Sequence, residues 1–114
     1  MTTVRQRVWG AKAEAIERTL EDTDPDLARL IIEVAYEEVF ARGGIELKTR
    51  ELLAITALMS VGSESELRTH RHGALNCGAS RDEIKETVLQ AAMYLGFPRA
   101  LLAMSVLKSI KIPS

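Results

Sequence analysis

Apolar residues recur at helical spacing along almost the whole chain, and the breaks between runs fall at glycine, proline and short acidic stretches. Thr3, with Gln6 three residues on, has the form of a capping box and opens a helix through Val8, Ala11, Ala15, Ile16 and Leu20. Most of its positions are polar, which places it at the surface. Asp22 to Asp24 ends it, and Asp24-Pro25 restarts the chain with a capping carboxylate followed by proline at the first helical position. Leu27, Leu30, Ile31, Val34, Ala35, Val39 and Phe40 hold the period until Arg42-Gly43-Gly44 stops it. After a connector at Ile45 to Lys48, Thr49 reads as the N-cap of an apolar helix ending at Gly62. Ser63 with Glu66, and Ser80 with Glu83, repeat the capping-box spacing. The first opens a helix to Cys77 with Gly78 as its stop. The second opens one through Ile84, Val88, Leu89, Ala92 and Met93 to Gly96-Phe97-Pro98. A last helix runs from Pro98 towards Ile110 and ends before Pro113.

The expected fold is therefore an all-α bundle of five to six helices, a single domain over residues 1–114. Composition agrees: 46% of residues are apolar but only 4% aromatic, a core vocabulary of Leu, Ile, Val, Ala and Met, and 7 Gly with 3 Pro are too few for the turns of an all-β fold. Leu52–Val61 is too short to span a bilayer and reads as a buried core helix, with no membrane partner. It and Ala100–Ile110 are apolar over more than one face, which predicts a homo-oligomer. Fifteen basic and 16 acidic residues leave a net charge of -1 with no basic block, so nucleic acid is not an expected partner. Met1–Gly10 lacks the apolar stretch of a signal peptide. The single cysteine, Cys77, excludes an intrachain disulfide, a redox pair and a cysteine zinc site, and points to a reduced cytoplasm. Its place at a helix C-terminus disfavours a thiolate, so it reads as a packed thiol.

The candidate chemistry is a trio. Glu66 and His70 are four residues apart and leave one helix face a turn from each other. Gly62 makes the helices on either side antiparallel neighbours; Glu51 lies eleven residues before it and His70 eight after, at similar depth given a rise of ~1.5 Å per residue. The carboxylate can then face the imidazole. Glu66 is also the third residue of a capping box, and Glu51 sits in a first turn where the helix dipole favours acids. Partial burial of Glu51 would raise its pKa, as an acid–base group needs. His72 lies about 200° around the helix from His70, so the two cannot share a metal and none is expected. With His72 towards solvent, His70 faces inward along Leu67, Ala74 and Cys77. Arg50, Arg68 and Arg71 taken singly read as solvated charges, and Met59, Met93 and Met104 as core filler.

At these residues the chain resembles the carboxymuconolactone decarboxylase family, which includes the alkylhydroperoxidase D proteins. The strings Leu47-Lys48-Thr49-Arg50-Glu51-Leu52-Leu53, Glu66-Leu67-Arg68-Thr69-His70, Ala74-Leu75-Asn76-Cys77-Gly78 and Tyr94-Leu95-Gly96-Phe97-Pro98 are similar to the family core in type, order and spacing. Val4-Arg5-Gln6-Arg7-Val8-Trp9-Gly10 and Glu38-Val39-Phe40 extend the likeness towards the lactone decarboxylases. Their acidic residue and histidine after the glycine are replaced here by Ala11, Lys12 and Ala13, and their second arginine by Gln6. The resemblance implies an alkylhydroperoxidase D-like helical fold assembled as trimers or hexamers. It also implies a cofactor-free loss of carbon dioxide from a small anionic lactone. Glu51 and His70 fall on the family's glutamate and histidine positions. Ser63 and Glu66 stand where the peroxidase branch has its CxxC pair, so thiol-based peroxide reduction is the less favoured alternative, beside a non-catalytic binding protein. On this basis His70 donates a proton, Glu51 orients or relays it, Glu66 tunes the histidine, and Arg5 or Arg50 holds a carboxylate.

Overall fold

Local capping chemistry sets where most of the helices begin. In the computed structural model, which describes residues 2–108, Thr3 Oγ1 accepts from the Gln6 amide at 3.2 Å and the Gln6 side chain accepts from the Thr3 amide at 2.8 Å. This box opens α1, Val4–Trp9. The helix does not continue to Leu20 as expected. Asn76 Nδ2 donates to the Val8 carbonyl at 2.7 Å, engaging an oxygen that an unbroken helix would use, and Gly10–Lys12 tightens into a 3-10 turn before α2, Ala13–Thr23.

Asp24 Oδ2 accepts from the Leu27 amide at 2.8 Å and starts α3, Pro25–Arg29. The same rod then widens into a π-helix over Leu30–Phe40. The next helix, α4, is Leu47–Val61. It starts two residues ahead of Thr49, because Glu46 is the extended residue at the cap, and it has no side-chain cap bond. Gly62, at φ 77° and ψ 28°, takes the left-handed conformation that lets α5, Glu64–Asn76, return alongside α4. Ser63 accepts from the Glu66 amide at 3.4 Å, but the reciprocal half of that box is not made; the Glu66 carboxylate lies towards His70 instead. The box opening α6, Arg81–Leu95, is complete, with Ser80 and Glu83 exchanging two bonds of 2.9 Å. The last helix, α7, begins at Phe97 and is described to Lys108; its expected passage to Ile110 and end before Pro113 lie outside the described residues. Among the described residues there is no strand, and the fold is all-α.

Two apolar clusters divide the interior. One joins α4, α5, α6 and α7 through Ile55, Met59, Leu67, Val88 and Ala103, each at most 1% exposed. Full burial of a side chain such as Ile55 or Met59 stabilises by ~1.5–3 kcal/mol. The other lies under α1, α2 and the π-helix around Val8, Trp9 and Tyr36. There the rings of Trp9 and Tyr36 are 4.7 Å apart and tilted, and those of Tyr36 and Phe40 are 4.8 Å apart and stacked. Arg5 fastens this layer, pairing with Glu17 at 2.8 Å and with Glu37 of the π-helix. Several expectations of burial fail on the outer faces. Met93 is 64% exposed rather than core, and Leu53 and Val61 of α4 are exposed, because these positions fall on helix faces left uncovered by the neighbouring helices. Among the described residues no helix is long and apolar enough to cross a membrane.

Candidate active site

The antiparallel pairing of α4 and α5 brings Glu51 and His70 into direct contact, with Glu51 Oε1 2.9 Å from His70 Nδ1. Glu51 is 0% exposed and the His70 side chain 14%. Gly73 makes the approach possible: a Cβ there would stand 2.7 Å from Glu51 Oε1 and 2.8 Å from Val8 Cγ1, so only glycine lets α5 lie this close to both α4 and α1. Glu66, one turn before His70 and 56% exposed, has Oε1 3.8 Å from His70 Nε2. The trio is thus assembled as three graded positions, from a buried carboxylate through a sheltered imidazole to a carboxylate at the water.

Burial alone would lower the His70 pKa, but the hydrogen bond and charge of Glu51, joined by the charge of Glu66, outweigh it and raise the value above the ordinary 6.5. An imidazolium held this way is an acid with its Nε2–H on the Glu66 side. Glu51 Oε2 has no hydrogen-bond partner. An unpaired oxygen on a fully buried carboxylate is costly and favours whatever positive charge His70 carries.

Beside the pair opens a cavity of about 760 Å³, walled mainly by apolar side chains of α2, the π-helix and α4, such as Ile16, Leu20, Ile31 and Leu58. Its charged lining groups are Lys12, Glu66 and His70. Tyr36 also lines it; burial, followed by the charge of Glu51, raises its pKa, so it remains a neutral phenol and a hydrogen-bond donor. Lys12, Tyr36 and Gly73 were not legible as site residues in the sequence. Lys12 stands in the segment that departs from the lactone decarboxylase pattern, and Tyr36 was one more residue on an apolar helix.

The two arginines lie elsewhere. Arg5 is engaged by Glu17 and Glu37, and Arg50 reaches the Arg42 carbonyl at 3.3 Å from Nη2; neither lines the cavity beside His70. Cys77 is partly buried, and burial together with the charge of Glu51 raises its pKa, which keeps the thiol protonated. His72 is partly buried and not turned to solvent; its Nε2 is without a partner, and burial with the nearby charge of Lys12 lowers its pKa. Arg71, expected as a solvated charge, is only 3% exposed.

Comparison with known proteins identifies the family. The sequence model of the carboxymuconolactone decarboxylase family matches residues 25–109. The chain is 36% identical to a 4-carboxymuconolactone decarboxylase of Acinetobacter baylyi over 94% of its own length and 81% of that protein. It is 37% identical to a nitrosuccinic acid decarboxylase of Metarhizium robertsii, over 90% of this chain and 73% of the relative. An uncharacterized 15.0 kDa protein of Paracoccus denitrificans is 34% identical over 82% of this chain and 71% of its own. With its helical fold and its family match in accord, this chain belongs to the carboxymuconolactone decarboxylase family.

Proposed function

We propose that this protein is a cofactor-free decarboxylase of a small carboxylated acid, of the lactone type that 4-carboxymuconolactone represents, with His70 as proton donor. The observation that carries the reading is the buried Glu51–His70 pair at 2.9 Å, whose imidazole lines a largely apolar cavity. In the reaction the bond to the substrate carboxylate breaks and carbon dioxide leaves. The released electron pair passes to a conjugated carbonyl, and the Nε2–H of His70 returns a proton to carbon. Glu51 holds Nδ1–H and stabilises the imidazolium before the transfer. Glu66, at the water, restores the proton afterwards. The apolar wall favours the shift of a localised carboxylate charge into the delocalised system that carries it once neutral carbon dioxide has left. Two relatives named for different acids support a shared step rather than a shared substrate: a lactone carbonyl and a nitro group can each take up the electron pair.

Lys12 is the better placed cation for a remaining carboxylate. It lines the cavity and, among the described residues, has no carboxylate within ion-pair distance, whereas Arg5 and Arg50 would have to leave their present partners. A homo-oligomer, trimer or hexamer, is part of the same reading; exposed Leu53, Tyr94, Phe97 and Leu101 supply apolar surface for it, and sedimentation velocity tests it. The deciding assay follows carbon dioxide release from a panel of carboxylated lactones and nitro-substituted acids. Wild type should release it from at least one member, and His70→Ala should lose ~10²–10⁴ in rate. No release from any member, or release undiminished in His70→Ala, overturns the proposal.

A further inference from the structure

A second hollow, of about 350 Å³, lies on the other side of α5, between the C-terminal part of that helix, the start of α6 and the last described turn of α7. Its charged lining is Arg71, Arg81, Lys85 and Lys108, against the single carboxylate of Asp82. Such a gathering is unexpected in a chain of net charge -1. Among the described residues none of the four cations has an acidic partner within ion-pair distance, although the chain pairs Arg5, Arg29, Lys48 and Arg68 elsewhere.

Arg71 is the decisive residue. It is 97% buried by the complement of its 3% exposure, its Nε donates to the Leu107 carbonyl at 2.7 Å, and its Nη2 has no hydrogen-bond partner. That one bond fixes the guanidinium plane at the wall of the hollow and leaves part of its donor fork unused. A buried, positively charged donor without an acceptor is costly, and the charge of Arg81 beside it adds to the cost. An anion in the hollow would relieve both. The N-terminus of α6, fifteen residues long, adds the positive end of its dipole at Arg81 and Asp82.

We propose that this hollow binds a compact oxyanion carrying two negative charges, a phosphate group or a dicarboxylate, on Arg71, Arg81, Lys85 and Lys108. A planar guanidinium matches either group in a two-bond fork, the lysines supply point charge, and the volume limits the ligand to a small molecule. The site is separate from the chemistry at His70 and stands whether or not the decarboxylase reading holds.

The test uses the full chain, titrated separately with inorganic phosphate and with succinate at low ionic strength, read by calorimetry and by amide shifts in ¹H–¹⁵N spectra. Saturable shifts centred on Arg71, Arg81–Lys85 and Lys108 are expected, and the tighter of the two probes identifies whether the ligand is phosphate-bearing or a dicarboxylate. Arg71→Met removes the buried donor but risks the fold. The exposed double variant Arg81→Ala/Lys85→Ala does not, and should weaken binding about tenfold or more. The proposal is overturned if neither probe shifts these amides, if the double variant binds as wild type does, or if chloride at matched ionic strength produces the same shifts.

Discussion

The two faces of the α4–α5 pair meet interiors of different kinds. On one face α6 and α7 press a cluster of Ile, Leu, Val, Met and Ala side chains into contact, with Ile55, Val88, Ala74 and Ala103 fully enclosed. On the other face α1, α2 and the π-helix approach through the rings of Trp9, Tyr36 and Phe40 and leave about 760 Å³ unfilled. Glu51 and His70 sit on the boundary. The His70 side chain lines the open space, and Glu51 stands behind it, fully buried. Close packing behind a site holds its geometry, while open space in front of it admits a ligand. Here both properties belong to the same two helices.

The contrast can be tested from its largest consequence downwards. His70→Ala removes the proton donor, so catalysis should fall ~10²–10⁴-fold. It also leaves the buried Glu51 carboxylate without its partner, so a stability loss of about 3–5 kcal/mol should accompany it, and Glu51→Gln/His70→Ala should recover part of that stability without recovering turnover. Undiminished turnover in the folded variant would show that the imidazole is only structural. Met59→Ala acts on the closed face and should cost about 2–5 kcal/mol in chemical denaturation, whereas Ile16→Ala on the cavity wall should cost about 1 kcal/mol. Equal costs would erase the distinction between the two interiors. Gly73→Ala probes the seam: its Cβ collides with Glu51 and Val8, and a loss of about 1–3 kcal/mol accompanied by impaired turnover is expected. If turnover is untouched, the Glu51–His70 spacing is not what limits the reaction.

The pH profile sharpens the electrostatics of the same boundary. Because the folded pKa of His70 is raised, its donor form persists above pH 6.5 and is lost as pH rises through the folded value, so activity should fall on the alkaline side with a midpoint above 6.5. The stability it contributes has the same sign, complete below the ordinary histidine pKa and lost on the way up. Glu66→Gln removes one of the charges that raise it and should move that midpoint down. An unmoved limb would assign the titration to another group. The smallest effect belongs to Arg5→Ala, a partly exposed ion-pair centre of the N-terminal layer, at about 0.2–1 kcal/mol by denaturant melts.

Much of this arrangement was legible along the chain because its signals are local. Thr3–Gln6, Asp24-Pro25 and Ser80–Glu83 place helix starts through bonds spanning three residues, and Gly62 makes the antiparallel turn that sets Glu51 against His70. The misreadings came where a partner distant in sequence intervened. Asn76 engages the Val8 carbonyl and the first helix breaks; the Glu66 carboxylate turns to His70 and its capping box is left half made. The outward turn of Met93 depends on which helix faces are covered, which spacing alone does not say.

Periodicity, caps and motifs are properties of neighbouring residues, and they fix the helices, most of their limits and the likeness of Glu51 and His70 to a family pair. Packing between distant segments is what puts Lys12 and Tyr36 at the border of the cavity, engages Arg5 with two carboxylates, and buries Arg71 with a free donor. These depend on how helices cross. Crossing is set by the fit of whole faces, such as the gap at Gly73, and not by any stretch of chain read alone.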